Sequence, residues 1–227
     1  METKQLTALI IDDHPLISEA YKSAFKYLES QNNMYYFDIH VKHNCDDAYQ
    51  IIYQYATTQK NIDVIFLDMR LPPSSDGKIL SGEDLGIQIN ELLPESKVIV
   101  STTFNDNYRV HSIIRRINPD GFLVKNDITP QELVTAIEEV LTTPPYYSKT
   151  VMKMIRNQVS SDYFLDDIDR KILYELSIGN RMKKLPEVIP LSFAGIQKRK
   201  RQLAKIFDVD SNDDRELILA ARDRGFL

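Results

Sequence analysis

Along the first 142 residues, short apolar runs alternate with helical stripes. Runs ending at Ile11, Val41, Leu67, Val100 and Val124 read as five strands. Ala8-Leu9-Ile10-Ile11 and Val64-Ile65-Phe66-Leu67 are continuous rather than alternating, the pattern of strands covered on both faces. Between the runs, apolar residues recur at i, i+3, i+4 and i+7, as in Ile17, Ala20, Tyr21, Ala24, Phe25 and Leu28, or Leu133, Ala136, Ile137, Val140 and Leu141. Shorter stripes begin at Ala48, Leu85 and Val110. The alternation predicts an α/β fold: a doubly wound (βα)5 parallel sheet, strand order 2-1-3-4-5, with helices on both faces. Pro144-Pro145 stops the last helix. Ser148 can cap a short helix running to Arg156, and Ser160-Ser161-Asp162 has no apolar period. Beyond that point strands disappear. Stripes at Ile168, Ile172, Leu173 and Leu176, around Ile196 and Leu203, and at Leu217, Ala220 and Ala221 predict a small all-α domain. The expected division is a first domain over 1–142, a linker with a short helix over 143–161, and a second domain over 162–227.

The composition allows a packed core and excludes a disordered or collagen-like chain: 43% of the 227 residues are hydrophobic and 27% charged. No apolar run approaches the ~18 residues of a membrane span, and the N-terminus does not read as a secretory signal. The single cysteine, Cys45, excludes internal disulfides and cysteine-rich zinc sites and fits a reducing, cytoplasmic setting. The four histidines show no metal-ligand spacing. Charge is unevenly shared. Residues 1–161 carry 15 Lys+Arg against 21 Asp+Glu, while residues 162–227 carry 13 against 12. Within the second part, Lys198, Arg199, Lys200, Arg201 and Lys205 form a basic run without an acid.

Ligands of open parallel sheets bind outside the carboxyl ends of the strands. Here the first strand ends in Asp12-Asp13, the third in Asp68, the fourth in Ser101-Thr102-Thr103 and the fifth at Lys125. The strand order makes these four ends neighbours. Clustered carboxylates repel unless a cation sits among them, and a hard oxygen donor set favours Mg²⁺. Carboxylates, Mg²⁺, a lysine and a hydroxyl together are the parts of a phosphoryl-transfer site. Asp13 ahead of Pro15 can also be read as a helix cap. The segment 72–82, between the third strand and its helix, is about twice the usual βα length and suits a lid, a partner loop or a surface insertion.

The segments Ala8-Leu-Ile-Ile-Asp-Asp-His-Pro-Leu, Asp63-Val-Ile-Phe-Leu-Asp-Met-Arg-Leu-Pro, Lys97-Val-Ile-Val-Ser-Thr-Thr and Gly121-Phe-Leu-Val-Lys resemble the receiver domain of bacterial two-component response regulators. The resemblance covers 6–142. It implies that Asp68 accepts a phosphoryl group from a sensor histidine kinase. It implies that Asp12 and Asp13 hold Mg²⁺ with Asp68, the backbone carbonyl of Arg70 being a further ligand. Lys125 would contact the phosphoryl group, Thr102 would swing towards it, and Phe122 would be the coupled aromatic switch. Chemistry would be confined to Mg²⁺-dependent self-phosphorylation and dephosphorylation. A phosphoester hydrolase is the rival, but Asp68-Met-Arg lacks a second carboxylate two residues on to act as acid and base.

In the second domain Ser192 is a good N-cap for a helix whose Ile196, Leu203 and Phe207 can face a core. Gln197, Lys198, Arg201 and Lys205 then fall largely on other faces, suiting double-stranded DNA. Residues 162–227 resemble the LuxR-type helix-turn-helix domain. That resemblance implies a third helix in the major groove, with Gln197, Lys198, Arg199, Lys200, Arg201 and Lys205 as candidate DNA contacts, and a homodimer when phosphorylated. Two positions depart from the pattern. Gly195 weakens the helix, and Pro186 should shorten or kink the scaffold helix before it. A regulator acting through protein partners is the alternative these departures raise.

Overall fold

The computed structural model describes residues 3–32, 34–103, 107–156, 165–210, 213–223 and 226–227. The chain forms two compact units, one built on residues 1–103 and 113–157, the other on 158–227 together with 104–112. The expected boundary between residues 161 and 162 lies outside the described residues.

Up to Arg156 the elements run β1 (Lys4–Ile11), α1 (Pro15–Asn32), β2 (Tyr35–Lys42), α2 (Cys45–Thr57), β3 (Val64–Asp68), α3 (Gly82–Leu92), β4 (Lys97–Thr102), α4 (Asn107–Ile117, whose first half groups with the second unit), β5 (Gly121–Val124), α5 (Pro130–Thr142), β6 (Tyr146–Tyr147) and α6 (Lys149–Arg156). All strand pairs are parallel, in the order β2-β1-β3-β4-β5-β6. Every residue of β3 and β5 is buried, which is why their sequences are continuous apolar runs. On one face of the sheet, Tyr21 and Phe25 of α1 pack on Phe66, Tyr21 stacking at 4.3 Å between ring centroids. Leu133, Ile137 and Val140 of α5 complete that layer. The helices begin where the sequence offers caps. Asn44 accepts from the Asp47 N–H, Ser81 from Glu83 and Thr129 from Glu132, with Pro130 opening α5.

Two segments gain detail from the structure. Within the predicted linker 143–161, the expected short helix to Arg156 is present as α6, and residues 146–156 pack on the first unit. Pro144-Pro145 do end α5, but Tyr146 and Tyr147 then pair with Gly121 and Phe122 as a sixth strand, and Val151 and Met154 bury α6. The long segment before α3, for which a lid, a partner loop and a surface insertion are all open readings of the sequence, is held to the first unit by its own bonds. Ser74 and Ile79 close it on itself through N–H and hydroxyl bonds, and the Asp46 carboxylate of α2 accepts from Ser75 N–H at 3.0 Å and Ser75 O–H at 3.1 Å. The segment ends at Gly82, where a Cβ would overlap the carbonyl oxygen of Asp68.

The second unit contains α7 (Asp167–Ser177), a 3₁₀ segment over Met182–Glu187, α8 (Phe193–Phe207) and α9 (Asp214–Asp223). Ile172, Leu173, Leu185, Ile196, Leu203, Phe207 and Leu217 share one core. Asp166 and Asp169 form a reciprocal capping box at the start of α7. Pro186 lies inside the 3₁₀ segment, so the scaffold element before α8 is a tight turn rather than an α-helix. Ser192 caps α8 by accepting from Gly195 N–H at 3.2 Å.

Two glycines make opposite expectations. Gly82→Ala should destabilise the first unit by about 1–3 kcal/mol or more, because backbone rather than a flexible side chain must yield. At Gly195 a Cβ would meet only ordinary contacts, the nearest at 3.5 Å. Gly195→Ala should therefore stabilise the second unit by up to about 1 kcal/mol. Urea unfolding of each variant checks both signs, and an unaffected Gly82→Ala midpoint refutes the close approach.

Candidate functional site

The sheet register brings the strand-end residues together. Ile11 pairs with Leu67, so Asp12 follows beside Asp68. Asp68 pairs with Ser101, and Thr102 with Val124, so Lys125 follows one step beyond Thr102. Asp12 is fully buried and Asp68 is 2% exposed. The Lys125 ammonium lies 2.7 Å from Asp12 Oδ2 and 2.7 Å from Asp68 Oδ2. Backbone N–H groups take the other oxygens, His14 donating to Asp12 Oδ1 at 2.9 Å and Arg70 to Asp68 Oδ1 at 3.0 Å. Burial pushes the Asp68 carboxyl above its ordinary value, against the pull of Lys125 and the Arg70 N–H. For Lys125, burial acts to lower the pKa, but the carboxylates of Asp68 and Asp12 outweigh it and the net direction is up. Beneath the site, the Tyr21 hydroxyl donates to Ser101 Oγ at 2.7 Å, and burial raises the phenol above its ordinary value.

Asp12, Asp13, His14 and Asp68 each offer a donor atom within 4.8 Å of the others. The three carboxylates suit a hard divalent cation. His14 is the residue that sequence reasoning missed. Its Nδ1 lies 2.7 Å from Asp13 Oδ1, so the cluster is not purely oxygen. Its position directly after Asp12-Asp13 was the available signal. Asp13 is also not the cap of α1, because Ile17 and Ser18 donate to the His14 carbonyl.

The family model for the response regulator receiver domain matches residues 8–138. This chain belongs to that family. Among curated relatives of this receiver-containing chain, the oxygen regulatory protein NreC of Staphylococcus haemolyticus (strain JCSC1435) is 21% identical over 181 residues, covering 78% of this chain and 74% of the relative. NreC of Staphylococcus aureus (strain MRSA252) is 22% identical, with the same coverage. Among solved structures, RcsB from Salmonella enterica serovar Typhimurium, bound to promoter P1flhDC in the presence of the phosphomimetic BeF3-, superposes with a TM-score of 0.62 at 16% identity. That match covers 97% of this chain and all of the other. A LuxR-family two-component response regulator from Aurantimonas sp. SI85-9A1 gives 0.51 at 20% identity over 67% of this chain and 96% of the other. These likenesses show the fold: a receiver followed by a helical domain.

The receiver gathers Asp12, Asp13, Asp68 and Lys125 into one cluster, with the buried Thr102 at the neighbouring strand end. Arg70, whose carbonyl the resemblance makes a ligand, sits in the turn that bonds Asp68. Phe122 is fully buried, edge-on to Tyr147 at 6.4 Å between centroids. In the second unit, the six candidate DNA contacts divide. Gln197, Lys198, Arg201 and Lys205 are exposed along one side of α8. Arg199 and Lys200 are correctly counted as cations but not as a free surface. Arg199 pairs with Asp166 and, at 3.1 Å, with Asp169, while Lys200 is 8% exposed and pairs with Asp214.

Removing the ammonium from this cluster tests its weight. Lys125→Met leaves two buried carboxylates without their cation and should cost about 3–5 kcal/mol in the absence of divalent metal. Adding Asp68→Asn should recover part of that loss. An unchanged urea midpoint for Lys125→Met would show that the ion pair carries little stability.

Proposed function

We propose that the chain is a cytoplasmic, DNA-binding response regulator of a two-component pair. The observation that carries this reading is the Lys125 ammonium shared by Asp12 and Asp68 at the carboxyl edge of the sheet. In this reading Asp68 accepts a phosphoryl group from a sensor histidine kinase. An Asp68 oxygen bonds to phosphorus as the P–N bond of the kinase phosphohistidine breaks, the electron pair leaving with the imidazole nitrogen. Asp12, Asp13, Asp68 and the Arg70 carbonyl would hold Mg²⁺, which would supply positive charge against the phosphoryl oxygens. Lys125 contacts the phosphoryl group, Thr102 donates its hydroxyl to it, and Phe122 is the coupled aromatic. The group adds about −2 charge to a cluster already rich in carboxylates, which favours a different arrangement of the strand ends. Phosphorylation then promotes a homodimer that binds double-stranded DNA through α8. The receiver extends to the end of α6, and the helix-turn-helix domain comes after it. Among the described residues no helix is long and apolar enough to cross a membrane. The chemistry is limited to self-phosphorylation and dephosphorylation.

A small phosphodonor with Mg²⁺ should place one acid-labile phosphoryl group on the protein, and Asp68→Asn should abolish it. Asp13→Ala should weaken Mg²⁺ binding and labelling together. Undiminished labelling of the Asn variant overturns the assignment.

For the DNA reading, the exposed cations of α8 are Lys198, Arg201 and Lys205. Replacing all three by Ala in a dimer removes six phosphate contacts, so the slope of log affinity against log salt should become shallower by about 5. Arg199→Ala should instead destabilise the second unit, because Arg199 ties α8 to the capping box of α7. A triple variant that binds as well as the parent sinks α8 as the DNA-contacting helix.

A further inference from the structure

Like α8, the short helix α6 carries cations and no acid. We propose that the outward face of α6 is a second DNA contact, taking backbone phosphates through Lys149, Lys153 and Arg156. The proposal rests on the DNA-binding reading above and adds a site that α8 does not need.

The face is defined by burial. Val151 and Met154 turn inward, while Lys149, Met152, Lys153 and Arg156 are exposed. Together with Tyr147 they line an open hollow of ≈ 370 Å³. Residues 143–156 contain three cations and no acid, and none of the three has an acidic partner among the described residues. An ordinary solvated helix face mixes signs; this one does not. The contrast with its surroundings is strong, since residues 1–142 carry 12 Lys+Arg against 21 Asp+Glu. Such an excess of negative charge repels DNA. The α6 face is free of acids that would add to that repulsion locally.

Dimensions agree with a run of phosphates. Lys149 and Arg156 lie seven residues apart, a rise of about 10 Å, close to three ~3.4 Å axial steps along one DNA strand. The face is rigidly held. Ser148 and Thr150 donate from their hydroxyls to Asp127 at 2.9 Å each, and the Tyr147 hydroxyl donates to the Pro119 carbonyl. Arg156 is also tethered to the second unit by a short stretch of chain. Eleven residue steps from Arg156 to Asp167 reach at most about 40 Å, some twelve base pairs, however the two units are arranged. A 40-base-pair duplex, about 136 Å long, exceeds that span.

The test uses the full-length, phosphorylated protein carrying Lys149→Gln, Lys153→Gln and Arg156→Gln. Gln keeps the polar stem, and the buried side of α6 is untouched. The parent, this variant and the α8 triple variant are titrated with a 40-base-pair duplex across salt concentrations. The α6 variant should show a slope shallower by about 2.7 per protomer, about 5 for a dimer, with unchanged Asp68 labelling and melting temperature. An unchanged slope overturns the proposal while leaving α8 in place. Loss of binding to phosphatidylserine vesicles with an unchanged DNA slope also overturns it, assigning the face to anionic lipid. A parent that binds no duplex at low salt overturns the DNA reading and this inference together.

Discussion

The first unit is organised around one ammonium between two buried carboxylates. Lys125 reaches Asp12 and Asp68 at the same 2.7 Å, and both acids are almost wholly removed from water. Without the ammonium, the two buried carboxylates side by side would repel one another. Holding all three charges requires β1, β3, β4 and β5 in one register, because Asp12, Asp68 and Lys125 come from three different strands. The all-apolar strands behind them supply that rigidity. The arrangement still leaves a net negative charge, since Asp13 adds a third carboxylate 2.7 Å from His14 Nδ1 rather than beside the lysine. A divalent cation is the natural completion of such a donor set.

Lys125 is also tied to the next elements of the chain. It opens a 3₁₀ turn, Lys125–Asp127, and two residues on Asp127 accepts from Ser148 and Thr150. Phe122, three residues before the lysine, gives its carbonyl to the Ser148 N–H at 2.9 Å. Both bonds hold the same short connection between β6 and α6. A shift of β5 of even an ångström would therefore move Lys125 against its carboxylates and α6 against the sheet at once. On the opposite side of Asp68, Gly82 packs directly on the Asp68 carbonyl and ends a segment fixed to α2 through Asp46 and Ser75. Asp68 is thus clamped from both directions in sequence.

Most of this was legible in the sequence, and the exceptions share a cause. Continuous apolar runs and 3.6-residue stripes located the five long strands and their helices. The alignment of polar strand ends located Asp12, Asp13, Asp68, Thr102 and Lys125. β6 escaped because two residues, Tyr146-Tyr147, cannot display a period; only pairing with Gly121 and Phe122 makes them a strand. How the segment before α3 is held could not be read, because the contact that fixes it joins Asp46 to Ser75, 29 residues apart. His14 escaped because its neighbours were read as oxygen ligands and a lone histidine has no spacing to match. In each case the deciding interaction is long-range or has too few residues to leave a pattern.

The basic helix shows the same limit in electrostatic terms. Five cations within eight residues look like one surface, but the helical period distributes them. Lys198, Arg201 and Lys205 fall on the solvent side, while Arg199 and Lys200 turn towards acids on α7 and α9. Arg199 is spent on the two carboxylates of the α7 capping box, which also bond each other's backbone N–H. A cation held by two carboxylates has little charge left to offer a phosphate. Its contribution to any DNA contact is geometric: it fixes the angle of α8 against α7, which the 3₁₀ segment at Pro186 cannot do as an α-helix would. The exposed stripe is therefore narrower than the sequence suggests, and its direction is set by the two cations that do not belong to it.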